Sequence, residues 1–170
     1  MIQKVERKYL EINSIKNLSS KLNTNSEVSL KLIDPPDFNL NKFFYKQVGK
    51  KHRWIDRLAW NDQKWMNYIN NTSVETYVLF EKENPVGFFE LIFHKDKRDC
   101  EIAYFGILEE YFGKGYGSHL LSCAIQNGFK KNSKRIWCHT CSLDHPNALK
   151  NYLARGMKIF KSEVLNLNIS

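Results

Sequence analysis

No apolar run in the 170-residue sequence approaches the length that a membrane-spanning helix requires, which is about 18 residues. Its first 12 residues are charged and lack the apolar core of a secretory signal peptide. No internal repeat and no Pro-, Gly- or Ser-rich linker divides the chain. These absences predict a cytoplasmic protein with no membrane association. We expect a single domain over residues 1–170, with an additional strand and helix in residues 1–26.

Cysteine is also scarce, and the four cysteines do not form a recognisable ligand set. Cys138 and Cys141 have CxxC spacing on or beside a predicted strand, where residues three apart point to opposite faces. No second Cys or Cys/His pair completes a tetrahedral site. A redox CxxC opens a helix, which this one does not. The sequence therefore predicts buried strand cysteines and no bound metal.

The net charge of +8 lacks the clustering that is typical of nucleic-acid binding. Lysines are spread along the chain, and no dense basic run is interleaved with aromatic residues. A basic balance of this kind is typical of a solvated Lys- and Asn-rich surface, and it also suits an anionic ligand. Nucleic acid is therefore not favoured as a partner.

Hydrophobic periodicity predicts a mixture of strands and helices. The N-terminal half is predicted as an edge strand over 5–12, a short helix over 14–22, a strand over 28–33, a helix over 40–48, an irregular segment over 50–60 and a helix over 62–70 with Asn61 as its N-cap. Short turns then join strands over 76–81, 86–94 and 100–107, which predicts an antiparallel meander. A helix over 115–132, a strand over 135–140, a helix over 147–155 and strands over 158–163 and 164–169 complete the chain. This order predicts an α/β (α+β) fold in which helices flank a mixed, mostly antiparallel central sheet.

Three closely spaced glycines separate a strand from a helix in EEYFGKGYGSHLL, residues 109–121. A helix N-terminus carries unpaired N–H groups and partial positive charge, and glycine lets the backbone approach a ligand closely, so this segment predicts an anion site. A P-loop would need GxxxxGK[ST], which is absent. A dinucleotide fingerprint needs GxGxxG in an early βαβ unit, whereas the third glycine here comes one place early and follows a meander.

The glycine segment, the strand EIAYFGI before it (residues 101–107) and the pattern formed by Ala148, Tyr152 and Gly156 together resemble the GNAT superfamily of N-acetyltransferases. The resemblance covers about residues 30–160 and includes the order of elements. Within the superfamily, the sequence is similar to an uncharacterised bacterial branch. It implies the GNAT acyl-CoA N-acyltransferase fold and transfer of an acetyl group from acetyl-CoA to a primary amine, by direct attack in a ternary complex. Assembly as a homodimer is a further expectation from the resemblance.

The resemblance also implies which residues contact acetyl-CoA. They are Phe105, Gly106, Ile107, Phe112, Gly113, Lys114, Gly115, Tyr116, Gly117, Ser118, His145, Asn147 and Tyr152. Phe112 occupies the family's Arg or Gln position, so a side-chain hydrogen-bond donor is lost. The main-chain N–H of Phe112 is still expected to serve phosphate, and Lys114 is the candidate replacement for the charge. His145 occupies the position of the family's helix-opening Asn, with Asn147 two residues further on.

Catalysis requires a base, because an alkylamine with a pKa of about 10 is mostly protonated at neutral pH. The resemblance places Glu101 at a catalytic glutamate of some family members, and Glu90 is a second candidate; the alternative for each is an ordinary structural charge. His139 is either a further base or a satisfied strand histidine, and an amine that arrives deprotonated needs no base. Tyr152 holds the family's position for the acid that protonates the departing thiolate. Backbone N–H groups of residues 105–107 are expected to meet the oxyanion.

The acceptor site is predicted in the segment KKHRWIDRLAW, residues 50–60, which is dense in aromatic and charged residues. We expect Trp54, Asp56, Arg57 and Trp60 to bind the substrate, with Asp56 facing its cation; the alternative is a packed, salt-bridged loop. The amine is either a small molecule or part of a protein. Two other functions stay open: a non-catalytic acyl-CoA-binding module of the same fold, and a basic RNA- or ribosome-associated protein.

Overall fold

A computed structural model describes residues 1–168 as one mixed sheet of seven strands with helices on its faces. The strands are β1 (Ile2–Ile12), β2 (Val28–Leu32), β3 (Val74–Glu81), β4 (Asn84–His94), β5 (Asp99–Ile107), β6 (Arg135–Cys141) and β7 (Lys158–Asn168). The helices are α1 (Phe38–Gly49), α2 (Asp62–Ile69), α3 (Tyr116–Gly128) and α4 (Asn147–Ala154). The sheet order is β2-β3-β4-β5-β6-β1-β7, and only β5 and β6 pair in parallel. The predicted fold class and the antiparallel meander β3-β4-β5 are confirmed.

The helices divide between the two faces of the sheet. The larger core packs α3 and α4 on one face through residues such as Leu10, Phe89 and Leu121, which are fully buried. On the other face Phe44 of α1 stacks against Phe88 of β4 with ring centroids 4.9 Å apart. This packing positions the irregular segment that follows α1 beside β5.

Close contact between α1 and β5 depends on glycine. A Cβ on Gly106 would lie 2.3 Å from Cγ1 of Val48, so any larger residue would push the helix away from the strand. The next helix begins as predicted, because Asn61 Oδ1 accepts a hydrogen bond from the N–H of Lys64 at 2.9 Å. The segment between α1 and α2 is therefore held at both ends.

The N-terminal strand is not an edge strand, and this prediction is wrong. β1 lies between β6 and β7, so that Arg7 is opposite Cys141 on one side and Glu163 on the other. The predicted helix over 14–22 is also wrong, because only Ile15–Asn17 forms a short 3₁₀ turn. Ile15, Leu18 and Leu22 have helical spacing, but backbone N–H groups that follow the turn bond to α3 and to the end of α4 rather than within a helix.

Two corrections concern the C-terminal half. Helix α3 ends at Gly128 rather than at residue 132, and a 3₁₀ turn (Phe129–Lys131) leads to Asn132 at φ 57°. The two predicted C-terminal strands form one strand, β7, because β1 offers a pairing partner along its whole length, with a single register shift at Tyr9/Leu10. Residue 169 of the predicted last strand lies outside the described residues.

Candidate active site

A cavity of about 1050 Å³ opens where β5 and β6 part. The two strands pair only from Asp99 with Arg135 to Glu101 with Trp137. Beyond this point residues 102–107 of β5 line the cavity, and on their β6 side no strand pairs with them within residues 1–168. Their backbone N–H and C=O groups on that side are therefore available to a ligand, as the resemblance implied.

A β-bulge coincides with the parting of the strands. On β4, Glu90 is opposite Tyr104 and Leu91 is opposite Ile102, so Ala103 has no partner. A bulge bends its strand and increases the local twist. The extra residue at Ala103 therefore accounts for β5 turning away from β6 at the place where the cavity begins.

The glycine loop, which we define as residues 112–117, forms one wall of the cavity at the start of α3. Gly113 and Gly115 both have φ of +79°, a conformation that side-chain-bearing residues rarely adopt. Gly117 has no positive φ, and a Cβ placed there would be 3.8 Å from its nearest neighbour, Nδ2 of Asn151. The protein's own packing and backbone therefore do not require glycine at 117, which leaves space beside the unpaired N–H groups of the helix start.

The backbone N–H of Phe112 is not free to serve a phosphate, and this expectation is wrong. It donates to the carbonyl oxygen of Glu109 at 3.1 Å and closes a 3₁₀ turn (Glu109–Tyr111) ahead of the loop. The Phe112 ring is 47% exposed and packs edge-on against His145, with centroids 5.1 Å apart. Phe112 therefore contributes an apolar surface at the cavity rather than a hydrogen-bond donor.

Helix α4 supplies the facing wall. Tyr152 is buried, lines the cavity and lies against Phe105, with ring centroids 6.2 Å apart. Burial raises the pKa of Tyr152 well above its ordinary value, so the phenol keeps its proton at neutral pH. His145 Nδ1 accepts a hydrogen bond from the N–H of Asn147 at 3.0 Å, which leaves the proton of the neutral ring on Nε2. Both His145 and Tyr152 thus line the cavity and carry a proton that they can donate.

The two predicted glutamates lie outside the cavity lining within the described chain. Glu101 Oε1 is 3.2 Å from Nε2 of His94 at the end of β5 where the strands are still paired. Glu90 is fully buried and accepts hydrogen bonds from Arg57, Tyr68 and Asn41 at 2.7–2.9 Å. Glu90 is therefore occupied by protein donors and does not line the cavity.

Arg57 and Trp60 belong to this same buried cluster rather than to the cavity lining. The Arg57 guanidinium is 4.2 Å from the ring centroid of Tyr68 and 4.7 Å from that of Trp60. Its Nη1 is 2.9 Å from Oε1 of Glu90, and both side chains are almost completely buried. For Arg57 and Trp60 the alternative of a packed, salt-bridged loop matches this geometry.

Trp54 and Asp56 do line the cavity, as expected from the sequence. The Trp54 ring packs edge-on against Tyr104 with centroids 4.8 Å apart, and Tyr104 also lines the cavity. The Asp56 carboxylate is exposed and forms no ion pair within 4.0 Å among residues 1–168. This end of the cavity therefore offers aromatic faces and one unpaired negative charge.

His139 lies on β6 and lines the same cavity as Trp54 and Asp56. Desolvation by the surrounding protein lowers its pKa below the ordinary value, and Arg7 acts in the same direction. Glu101, Asp144 and Asp56 partly oppose this shift. The ring is therefore largely neutral at pH 7 and can accept a proton.

The cavity has an excess of basic side chains. Its charged lining comprises Arg7, Lys50, Lys51, Arg53, Lys150 and Arg155 against Asp56, Glu109 and Asp144. Of the predicted cofactor residues, Lys114 is absent from this lining, since it lies 3.7 Å from Glu81. The basic excess suits a polyanionic ligand.

A segment that sequence reasoning missed braces the glycine loop from outside. Asn23 Nδ2 donates to the carbonyl oxygen of Lys114 at 2.9 Å, and the N–H of Asn23 bonds to Nδ1 of His119 at 3.0 Å. Asn151 of α4 donates to the carbonyl oxygen of Gly117 at 3.1 Å. The polar run that contains Asn23 carried no periodicity from which these contacts could be predicted.

A family model described as the acetyltransferase (GNAT) family matches residues 38–157, which contain the glycine loop, the open strand and α4. The chain belongs to the GNAT acetyltransferase family. This agrees with the resemblance found in the sequence and accounts for the cavity between β5 and β6. No curated protein shows a significant match.

Several solved structures are similar to this one in fold. A functionally unknown conserved protein from Staphylococcus epidermidis shares 21% identity over 96% of this chain and 61% of its own, with a TM-score of 0.64. A GCN5-related N-acetyltransferase from Kribbella flavida shares 14% sequence identity over 97% of this chain and 58% of its own, with a TM-score of 0.67. A spermidine N-acetyltransferase from Vibrio cholerae was solved with CoA and spermine. It shares 18% sequence identity over 84% of this chain and 96% of its own, with a TM-score of 0.62. The chain thus spans about three fifths of the length of the first two.

Residues 1–168 contain neither a cluster of metal ligands nor a membrane-spanning helix. No group of three or more His, Cys, Asp or Glu side chains there is arranged to hold a metal ion. No helix in that part of the chain is long and apolar enough to cross a membrane.

Proposed function

We propose that the protein transfers the acetyl group of acetyl-CoA to a small, cationic primary amine within a ternary complex. The observation that supports this most strongly is Gly117. Neither its φ nor its packing calls for glycine, yet a side chain there would project beside the first N–H groups of α3. A ligand that approaches this backbone closely is the simplest reason for the missing side chain, and the pyrophosphate of acetyl-CoA has the charge for a helix N-terminus.

The residues along the cavity support acetyl-CoA as the ligand. Gly113, Gly115 and Gly117 expose backbone in a cavity whose lining has more basic than acidic side chains. The unpaired side of β5 at residues 105–107 offers main-chain groups to an extended chain such as pantetheine. Acetyl-CoA would supply the acetyl thioester, and the N–H groups on that side of β5 would be the donors that stabilise the negative charge developing on its carbonyl oxygen.

We assign proton transfer to two residues that line the cavity. His139 is largely neutral and takes the proton that the amine must lose, either directly or through a water molecule. Glu101 favours the protonated ring electrostatically, since its charge acts to raise the pKa of His139. Tyr152 keeps its proton and donates it to the departing thiolate. Glu101 acting through water stays the alternative base.

The acceptor is proposed to bind between Trp54, Tyr104 and Asp56. Aromatic faces attract ammonium groups, and an unpaired carboxylate adds charge complementarity. The Vibrio cholerae neighbour was solved with spermine, an amine that carries several such charges. This supports a polyamine-like acceptor over an uncharged one.

Calorimetry with acetyl-CoA, followed by an acetylation assay over a panel of amines, tests the proposal. We expect acetyl-CoA to bind, and spermidine-like amines to react faster than neutral amines of similar size. Asp56→Asn should raise KM for the cationic amine and leave the Kd of acetyl-CoA unchanged. Binding of acetyl-CoA without acetylation of any amine would instead support a non-catalytic acyl-CoA-binding module.

A further inference from the structure

Arg155, at the C-terminal end of α4, is a buried cation without a partner. The residue is 8% exposed, and its Nε and Nη1 atoms are buried with no hydrogen-bond acceptor among residues 1–168. No carboxylate in that range lies within 4.0 Å of it. Its own backbone is fully used, since its N–H bonds to Asn151 and its carbonyl oxygen accepts from Ser19.

An arrangement of this kind is costly unless a ligand completes it. A buried charged group that lacks hydrogen bonds destabilises the folded state, and buried arginines are normally paired. The other buried arginine in this protein, Arg57, follows the rule through its bond to Glu90 at 2.9 Å. Arg155 lines the large cavity, so the missing partner can come from a molecule bound there.

The position of Arg155 indicates which part of the cavity it serves. It lies one helical turn beyond Asn151, and Asn151 bonds to the carbonyl oxygen of Gly117 at the start of α3. Side chains on a helix lean toward its N-terminus, which directs the long Arg155 side chain back toward that contact. We therefore expect the guanidinium to serve the part of the cavity beside the glycine loop rather than the part beside Asp56.

We propose that Arg155 binds a phosphate group of acyl-CoA and so replaces the side-chain donor that Phe112 does not provide. Guanidinium is well suited to this task because its planar fork donates two parallel hydrogen bonds to phosphate oxygens. This inference rests on the proposed function for the identity of the anion. It adds a side-chain contact on α4 to the backbone site at the start of α3.

The test compares Arg155→Met with Lys150→Met, which removes the same charge from an exposed position on the same helix and in the same cavity lining. Calorimetry measures the Kd of acetyl-CoA and 3′-dephospho-CoA, and thermal unfolding is followed with and without inorganic pyrophosphate. We expect Arg155→Met to weaken acetyl-CoA binding by about tenfold or more and Lys150→Met to weaken it far less. We also expect ligand-free Arg155→Met to melt at a higher temperature than the wild type, because an unpaired buried charge is gone.

The arms of the experiment separate the outcomes. If the loss persists with 3′-dephospho-CoA, Arg155 binds the pyrophosphate; if it disappears, Arg155 binds the 3′-phosphate. Unchanged acetyl-CoA binding in Arg155→Met, or a lower melting temperature of the ligand-free variant, overturns the inference while the proposed function stands. If the wild type binds no acyl-CoA but pyrophosphate raises its melting temperature in an Arg155-dependent way, the anion site stands and the proposed function fails. If neither ligand binds, both are overturned.

Discussion

Replacing Gly117 by alanine should separate binding from stability. Gly117 is the second residue of α3, its φ is not positive, and a Cβ there would be 3.8 Å from the nearest atom of the protein. The methyl group therefore fits the folded protein without strain. It would, however, stand beside the N–H groups that we propose to contact the cofactor.

The expected change in stability is small and favourable. Glycine inside a helix is less stable than alanine by about 0.5–1 kcal/mol. In a domain of this size 1 kcal/mol shifts the melting temperature by about 2–4 °C, so Gly117→Ala should melt slightly higher than the wild type or at the same temperature. Acetyl-CoA binding should nevertheless weaken by about tenfold or more, because a close hydrogen-bonded approach of phosphate to the backbone is worth about 1.5–3 kcal/mol.

Gly115→Ala is the matched control, because the two glycines are two residues apart in the same loop. Gly115 has φ of +79°, and forcing alanine into that conformation costs about 1–2 kcal/mol. This variant should melt lower than the wild type, opposite in sign to Gly117→Ala. Melting curves and calorimetry on both variants provide the measurement. Wild-type affinity for acetyl-CoA in a well-folded Gly117→Ala protein would refute the inference drawn from the missing side chain.

Three further predictions concern residues with distinct roles. Arg57→Met leaves Glu90 buried without its cationic partner, so the free energy of unfolding measured by urea denaturation should fall by about 3–5 kcal/mol. Adding Glu90→Leu should restore most of that free energy, and additive losses in the double variant would contradict this. His139 must be neutral to accept a proton and its pKa is lowered, so kcat/KM should rise with pH through a midpoint below about 6.5. The variant His139→Gln should lose this rise in kcat/KM, whereas Glu101→Gln should keep it. The reverse pattern makes Glu101 the base. Tyr152→Phe should lower kcat by about 10²- to 10⁴-fold at an unchanged Kd for acetyl-CoA, and unchanged kcat would exclude Tyr152 as the acid.

The fold and the family were largely predictable because their signals are local. Short turns between alternating strands predicted the meander, and Asn61 predicted the start of α2. The glycine loop and the tyrosine of α4 carried the family resemblance, and the family match confirms the family. Each of these features depends on a few neighbouring residues, so the sequence displays them directly.

The acceptor side was less predictable because it depends on contacts between distant residues. Glu90 and Arg57 were both assigned to the site, yet they are 33 positions apart and neutralise each other in a buried cluster. The sequence allows both a catalytic and a structural role for His139, and only the folded chain shows that it lines the cavity where β5 and β6 part. Arg155 gave no signal at all, since a missing partner is visible only in three dimensions.

The central place of β1 in the sheet has a consequence for how the chain folds. β1 pairs with strands that lie far from it along the chain, with Ile2 opposite Asn168 and Arg7 opposite Cys141. Contacts of such large sequence separation slow folding, because the chain must close a long loop before they form. On the ribosome the first strand would remain unpaired until β6 and β7 emerge. A truncated variant that lacks the first 12 residues would therefore leave facing edges of β6 and β7 without the strand between them, and we expect it to aggregate rather than to fold.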